Sequence, residues 1–177
     1  AKGGTKVEPI SILKVEDKNG KVIYENKNVQ GPTVMSAEEA FLINSILSDN
    51  NARAIAFGTR SLLNVSPNVA VKTGTTNDQR DNWAVGWSEE ILVGAWVGNN
   101  DNSAMKRVAS GVSGATPIWR QVIQAALESK KYSAPEWKMP PTVEKVEVDQ
   151  VSGYPAHDDF PKRWDYAIKG TLPALPD

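Results

Sequence analysis

Residues 69–87 read VAVKTGTTNDQRDNWAVGW and hold the most informative pattern in the chain. Their first five residues form a short apolar run that is typical of a β-strand. Two further β-type runs follow at 82–87 and 91–97, and the Ser-Glu-Glu turn between them predicts an antiparallel pair. Small residues alternate with tryptophan in the 82–87 run, so a helix can approach that face of the sheet closely. We therefore expect an antiparallel sheet with helices packed against it.

The sequence before this sheet predicts a hairpin and two helices. Residues 7–25 are typical of a β-hairpin that reverses at an Asp-Lys-Asn-Gly turn. Ser36, with Glu39 three residues later, has the pattern of a capping box at a helix start. Apolar residues recur after it at helical spacing, namely Ala40, Ile43 and Leu47. Asn50 is the predicted cap of a second, short helix that stops at Gly58.

A longer helix is predicted downstream of the sheet. Thr116 can cap it, Pro117 suits its first position, and the pattern continues to about Lys131. One broad apolar stripe runs along it, formed by Ile118, Trp119, Val122, Ile123, Ala126 and Leu127. A helix of this length would span roughly 21 Å. We expect it to pack against the sheet, which makes the fold class α+β.

The C-terminal part of the chain is predicted to contain less regular secondary structure than the rest. A proline-rich connector occupies residues 135–141, a strand-like run follows at 143–148, and the rest of the tail is predicted to be irregular. We therefore divide the chain into residues 1–139, which carry the sheet and the long helix, and residues 140–177, a C-terminal tail.

The composition of the chain excludes several classes of function. The chain has 177 residues, the size of one domain, and a net charge of −1, so no broad basic surface for nucleic acid is predicted. Its lack of cysteine excludes disulfides and thiolate metal sites. No run approaches the roughly 20 apolar residues that a membrane span requires, and any segment that exports or anchors the protein is expected upstream of these residues. We expect neither a metal nor an organic cofactor.

The Lys72-Thr73-Gly74 triplet resembles the third active-site motif of the penicillin-binding transpeptidases and serine β-lactamases. The triplet alone is weak, but here it ends a β run, is followed by Thr75-Thr76, and precedes Asp-Asn-Trp and a second strand. The wider chain is similar to the class A, bifunctional penicillin-binding proteins. The segments that carry this similarity are Gly3-Gly4, Val7-Glu8-Pro9, ILKVEDKNGKVIYE, WVGNND, SGATPIW and AIKGTLP.

The resemblance implies that the chain is the C-terminal half of a transpeptidase domain. Its substrate would be a peptidoglycan stem peptide ending in D-Ala-D-Ala, aligned along the strand edge by β-augmentation. The Lys72 ammonium would lie near the substrate carboxylate, and the hydroxyls of Thr73 and Thr75 would donate to it. Gly74 would let the substrate approach the backbone. The Thr75 backbone N–H would be one of two oxyanion-hole donors. The alternative is that Lys72 is a solvated lysine on a strand with threonines suited to a β edge.

Two other matches to the family motifs are interpreted as coincidental. Ser11 and Lys14 fit S-x-x-K, but the family serine works from a helix start, whereas these two residues lie in a predicted hairpin strand. Ser48-Asp49-Asn50 fits S-D-N, but its predicted place is the end of one helix and the cap of the next. The serine nucleophile, its lysine and the serine-x-asparagine loop are therefore expected upstream of Ala1.

The resemblance also implies partners and a location. β-Lactam antibiotics would mimic D-Ala-D-Ala, the upstream half of the same domain would complete the fold, and the parent protein would be anchored in the cell envelope and act outside the cytoplasmic membrane. A second hypothesis is a non-catalytic module that binds peptidoglycan or a partner protein and has kept this strand. A third is a self-contained small hydrolase that uses Ser11.

Several other polar and aromatic residues are candidates for a site. The only histidine, His157, is interpreted as part of a solvated loop. Asp78 and Asp81 are expected to satisfy backbone N–H groups, with Asp81 bracing Arg80 or the turn between the strands. Three tryptophans could form a sugar platform but are predicted to be core residues, namely Trp83, Trp87 and Trp96. By the resemblance, the loop from Gly111 to Gly114 would lie near the active-site cleft.

Overall fold

The computed structural model describes residues 1–27, 31–105, 113–157 and 159–174. Its strands are β1 (Lys14–Glu16), β2 (Val22–Glu25), β3 (Ala70–Thr75), β4 (Asp81–Trp87), β5 (Leu92–Gly98), β6 (Val143–Asp149) and β7 (Lys162–Ile168). Its α-helices are α1 (Ala37–Ser48), α2 (Asn50–Phe57) and α3 (Ala115–Glu128). The predicted α+β class is confirmed. Within the described part of the chain, no helix is long and apolar enough to cross a bilayer.

The central sheet has three antiparallel strands in the order β3-β4-β5. Val71 pairs with Gly86 and Thr75 with Asn82, so the chain reverses directly after the Lys-Thr-Gly triplet. The predicted antiparallel pair of the last two strands is confirmed. β3 lies at the edge of this sheet.

The core lies between this sheet and α3. Trp119 and Ile123 are fully buried and pack with Ala84 and Ala95 of the sheet. A Cβ added at Gly86 would lie 2.4 Å from Cζ2 of Trp119, so the glycine is what allows the indole ring to approach the strand. The small residues of β4 therefore face the helix, as their alternation predicts.

The long helix differs from its prediction at the N-terminus. It begins at Ala115, with Gly114 at the N-cap position, so Thr116 is a buried residue inside the first turn rather than the cap. The apolar stripe is also narrower than predicted. Ile118 and Val122 are half-exposed, because the sheet covers only the face that carries Trp119 and Ile123.

Helices α1 and α2 follow the predicted boundaries with two corrections. The capping box of Ser36 and Glu39 is present in full. The cap of α2 is Asp49 rather than Asn50, and its carboxylate accepts the N–H groups of residues 51 and 52. The buried face of α1 contains Ala40 as predicted, but its other members are Phe41, Asn44 and Ser48, and Ile43 is exposed. The helix therefore packs on a mixed, partly polar face.

The two ends of the chain contain one hairpin each. The first hairpin turns where predicted, but its strands are shorter than the 7–25 range. The tail is not irregular, because β7 pairs with β6 over seven positions. Tyr166 of β7 meets Phe41 of α1 edge to face at 5.1 Å, and Thr142 donates to the Glu38 carboxylate. These contacts join the tail hairpin to α1, across the predicted boundary at residue 139.

Candidate functional site

Burial changes sharply along β3. Ala70 and Val71 are buried, Thr73 is half-buried, and Lys72, Gly74 and Thr75 are exposed. One edge of the strand is paired with β4, and no other described strand pairs with its second edge. An edge strand presents backbone N–H and C=O groups that can pair with an extended peptide. The structure thus brings the four residues of the sequence motif together at an accessible strand edge.

The side chain of Lys72 is exposed, and its ammonium donates to the carbonyl oxygen of Thr73. The four ion pairs within the described residues involve other cations, so no carboxylate neutralises Lys72. A lysine built for a structural role inside a protein would be buried against a carboxylate. The charge of Lys72 therefore remains available to an anionic ligand.

A small cleft runs beside β3 from Val71 to Thr73. Its opposite wall comes from α1, α2 and the segment after α2, through Ile46, Leu47, Arg53, Phe57 and Leu63. Arg53 fixes this wall because its guanidinium donates to the carbonyl oxygens of Leu47 and Leu63, the second at 3.1 Å. Desolvation by burial lowers the pKa of Arg53, and Asp49 partly offsets this effect. Sequence reasoning missed Arg53, since nothing local marks a residue that joins three segments.

The turn after the motif is held by its own backbone and by a later segment. The Thr76 N–H donates to the Asp81 carbonyl oxygen at 3.1 Å, and the Asp81 N–H donates to the Thr76 hydroxyl at 3.0 Å. Arg80 donates to the Asn102 carbonyl oxygen at 2.7 Å. Asp78 and Gln79 have positive φ angles of 61° and 52°, which reverse the chain within three residues. The Thr75 end of β3 is therefore tied to β4 by bonds outside the strand ladder.

The two carboxylates of this turn do not have their predicted roles. Asp81 accepts a hydrogen bond from the indole N–H of Trp96 at 2.9 Å. The partner of Arg80 is Asp78, at 3.8 Å, rather than Asp81. The second carboxylate oxygen of Asp81 is buried and has no hydrogen-bond partner among the described residues. Asp81 thus links β4 to β5 at the end of the sheet that carries the motif.

The tryptophans differ from the core prediction. Trp83 and Trp96 are 47% and 40% exposed, and they are direct cross-strand neighbours on the face of the sheet away from α3. Trp87 is half-buried and donates to the Asn44 side chain at 2.9 Å. The alternation predicts correctly that the tryptophans share one face. It also predicts correctly that the small residues face the helix, and the wrong part is the expectation that the indoles on the opposite face are core residues.

The two coincidental motif matches lie in unsuitable local structure. Ser11 occupies a bend outside β1, not the strand that was predicted, and it is not at a helix start. The Lys14 ammonium pairs with Glu16. Ser48 is the last residue of α1 and donates to the Asn44 carbonyl oxygen at 2.7 Å, as its predicted place at a helix end requires. The hydroxyl of Ser48 is thus used inside its own helix.

The remaining candidates carry no site chemistry in the described residues. His157 Nδ1 lies 3.1 Å from the Pro155 carbonyl oxygen, and its ring lies against Phe160. No group of three histidine or acidic side chains that could hold a metal ion occurs in the described ranges. The predicted loop at Gly111 to Gly114 lies partly outside the described residues, and only its last two positions are described.

Comparisons with known proteins find similar sequences among the penicillin-binding proteins. No protein-family model matches the chain. Penicillin-binding protein 2D of Bacillus subtilis is 32% identical over 180 residues, which covers 98% of this chain and 25% of that protein. Penicillin-binding protein 1A of Rickettsia typhi is 28% identical over 175 residues, which covers 86% of this chain and 22% of that protein. The chain thus spans about a quarter of the length of these relatives.

Solved structures of penicillin-binding proteins also match the fold of this chain. The crystal structure of penicillin-binding protein 1A from Haemophilus influenzae superposes with a TM-score of 0.79 at 26% identity, over 97% of this chain and 30% of that one. PonA1 from Mycobacterium tuberculosis shares the fold, with a TM-score of 0.62 over 86% of this chain. The chain is therefore similar to penicillin-binding proteins over nearly its whole length. More narrowly, these matches support a transpeptidase region of the class A type.

Proposed function

We propose that this chain supplies the substrate-binding wall of a serine D,D-transpeptidase that cross-links peptidoglycan. One observation carries the proposal: the second half of an edge strand carries an ammonium, two threonine hydroxyls and a glycine in consecutive positions, and a cleft lies beside its first two residues, Lys72 and Thr73. The similarity to penicillin-binding proteins supports the same class of chemistry.

In this proposal, a stem peptide ending in D-Ala-D-Ala lies along the outer edge of β3. Its carboxylate faces Lys72 and the hydroxyls of Thr73 and Thr75. A charge pair about 4 Å apart, at an effective dielectric constant near 20, is worth roughly 4 kcal/mol before desolvation is subtracted. Gly74 has open space where a side chain would be, so the substrate can approach the backbone there. These groups bind and orient the substrate.

The chemical step is acyl transfer. A serine hydroxyl attacks the carbonyl of the penultimate D-Ala, the terminal D-Ala leaves with a proton on its amine, and an acyl-enzyme forms. The amine of a second stem peptide then attacks the ester and releases the serine. The Thr75 backbone N–H would donate to the carbonyl oxygen as negative charge develops on it, a contribution worth about 100- to 1,000-fold in rate when such a donor is lost.

The proposal assigns the nucleophile to polypeptide outside these 177 residues. The two serines that match family motifs lie in a bend and at the end of α1, where neither has the geometry of an activated nucleophile. We call the protein that combines this chain with the serine-bearing segment the parent protein. It is proposed to act on the outer side of the cytoplasmic membrane and to be acylated by β-lactams.

Labelling with a fluorescent penicillin tests this assignment. The parent protein should label covalently, while the 177-residue chain alone should not. Lys14→Ala and Ser11→Ala in the parent protein should leave labelling unchanged, because these residues lie outside the site. Labelling of the isolated chain that Ser11→Ala abolishes would instead support a self-contained hydrolase. An acylation-inert parent protein that still binds peptidoglycan would support a binding module.

A further inference from the structure

Asn82 is a fully buried polar residue in the middle of the fold. It lies in β4, directly opposite Thr75 of β3 in the strand register. Its side-chain oxygen accepts the backbone N–H of Ala115, the first residue of α3, at 2.8 Å. The side chain therefore connects the strand pair that carries Thr75 to a helix that begins 33 residues later in the sequence.

The start of α3 is built to receive this side chain. Gly114, at the N-cap position, has no side chain with which to cap the helix, and Asn82 performs that role from another element. A Cβ at Gly114 would lie 2.4 Å from the Asn82 side-chain oxygen and 2.5 Å from its nitrogen. Any larger residue at position 114 would therefore displace the amide. The first turn is also closed to water, since Ala115 and Thr116 are fully buried.

We propose that Asn82 is a positioning residue that fixes the backbone of Thr75 relative to α3, and through it the N–H that would serve the oxyanion hole. This inference rests on the proposed function. Thr75 is exposed and ends an edge strand, so β4 is the strand that locates it. Asn82 attaches that part of β4 to the buried start of a 14-residue helix. A displacement of about 1 Å at a reacting group can cost about 100-fold in rate.

Asn44 provides a matched control. It is also a buried asparagine whose side-chain oxygen accepts a hydrogen bond from an element packed against its own, here the Trp87 indole N–H at 2.9 Å. Trp87 lies at the opposite end of β4 from Asn82 and pairs with Ala70. Asn44→Ala therefore deletes the same chemical group at the end of β4 that is remote from Thr75.

The test compares Asn82→Ala, Asn82→Asp and Asn44→Ala in the parent protein, using penicillin acylation and amide hydrogen exchange. Asn82→Ala should lower the acylation rate constant about 10- to 100-fold, while the dissociation constant of the non-covalent penicillin complex changes less than about threefold. Exchange should accelerate in peptides covering residues 73–76 and 113–117. Asn82→Asp keeps an acceptor oxygen at a helix N-terminus and should restore part of the rate. Asn44→Ala should change neither rate nor exchange at 73–76.

Gly114→Ala is a second variant that keeps the amide and displaces it, and it should reproduce the effect of Asn82→Ala if that variant does not fold. The inference is overturned if Asn82→Ala or Gly114→Ala matches Asn44→Ala in both acylation and exchange at residues 73–76. Failure of this inference can be distinguished from failure of the proposed function. A parent protein that penicillin does not acylate refutes the function, whereas exchange at 73–76 still reports whether Asn82 holds Thr75.

Discussion

The two halves of β3 differ although they are continuous and pair with the same strand. Ala70 and Val71 are 0% and 5% exposed and belong to the interior, whereas Lys72 and Thr75 lie at the surface and present polar groups. The first half is fixed by packing, and the second by backbone pairing and the turn at Thr76. The comparison shows that one strand can be part of the core at one end and present polar groups to the surface at the other. Substitutions at the two ends should therefore affect different properties.

The largest loss of stability is expected from Trp119→Ala in α3. The indole is fully buried against the sheet, and removal of such a side chain typically costs about 3–5 kcal/mol because a cavity remains. Urea unfolding of the 177-residue chain measures this change. Ile118→Ala is the control on the same helix, where half-exposure predicts a loss of less than about 1.5 kcal/mol. Equal losses for the two variants would contradict the packing of α3 described above.

A smaller effect distinguishes two glycines of the same sheet. Gly86→Ala would bring a methyl group to 2.4 Å from the Trp119 ring and should cost about 1–3 kcal/mol of unfolding free energy. Gly74→Ala meets no atom within 4 Å and should change stability by less than about 1 kcal/mol. In the parent protein, however, Gly74→Ala should weaken the non-covalent penicillin complex. A stability loss at Gly74 as large as that at Gly86 would break the contrast between the buried and exposed parts of the sheet.

The smallest predicted effect is a pH-dependent contribution of the tail hairpin, β6 and β7, to the free energy of unfolding. Hydrogen bonds from the Ser152 N–H and hydroxyl, with a smaller one from the Val151 N–H, lower the pKa of Asp149. Because the folded-state pKa lies below the unfolded value of about 3.9, this stabilisation is fully present above that value and is lost as the pH falls through the folded-state pKa.

Asp149→Asn tests this pH dependence. The variant should be less stable than the original chain at pH 6, and the difference should shrink at pH 3 in urea unfolding curves. Glu147→Gln removes an equivalent charge from an exposed position of the same strand and serves as the control. A difference between Asp149→Asn and the original chain that stays constant from pH 6 to pH 3 would refute the assigned role of the carboxylate.

Local patterns predict much of the fold. The capping box at Ser36, the turn of the first hairpin and the reversal after Thr75 each depend on residues close together in sequence. β7 was missed although Trp164, Tyr166 and Ile168 alternate along it, because the prolines around it are more typical of an irregular tail. Alternation identifies the two faces of β4 and predicts that the helix covers the small-residue face, but it does not say whether the opposite face is covered as well. The exposure of Trp83 and Trp96 depends on that second question.

The residues of the candidate site also differ in whether local sequence patterns could identify them. Lys72, Thr73 and Thr75 could be identified from sequence because they are adjacent and belong to one strand. Arg53 and Asn82 could not, because each bonds backbone groups outside its own element, up to 10 residues away for Arg53 and 33 residues away for Asn82. The wall of the cleft and the proposed support of Thr75 therefore depend on tertiary packing, and sequence alone identifies only the candidate residues of β3.

The central claim is that the charge of Lys72 binds the carboxylate of the substrate or of a β-lactam. The most direct measurement compares the second-order rate constant of penicillin acylation for the parent protein and its Lys72→Ala variant, with unfolding free energy measured on the same samples. Loss of a charge-assisted interaction of about 1.5–3 kcal/mol predicts acylation roughly 10- to 150-fold slower, with stability unchanged within about 0.5 kcal/mol. An unchanged acylation rate constant in a folded variant would contradict the account.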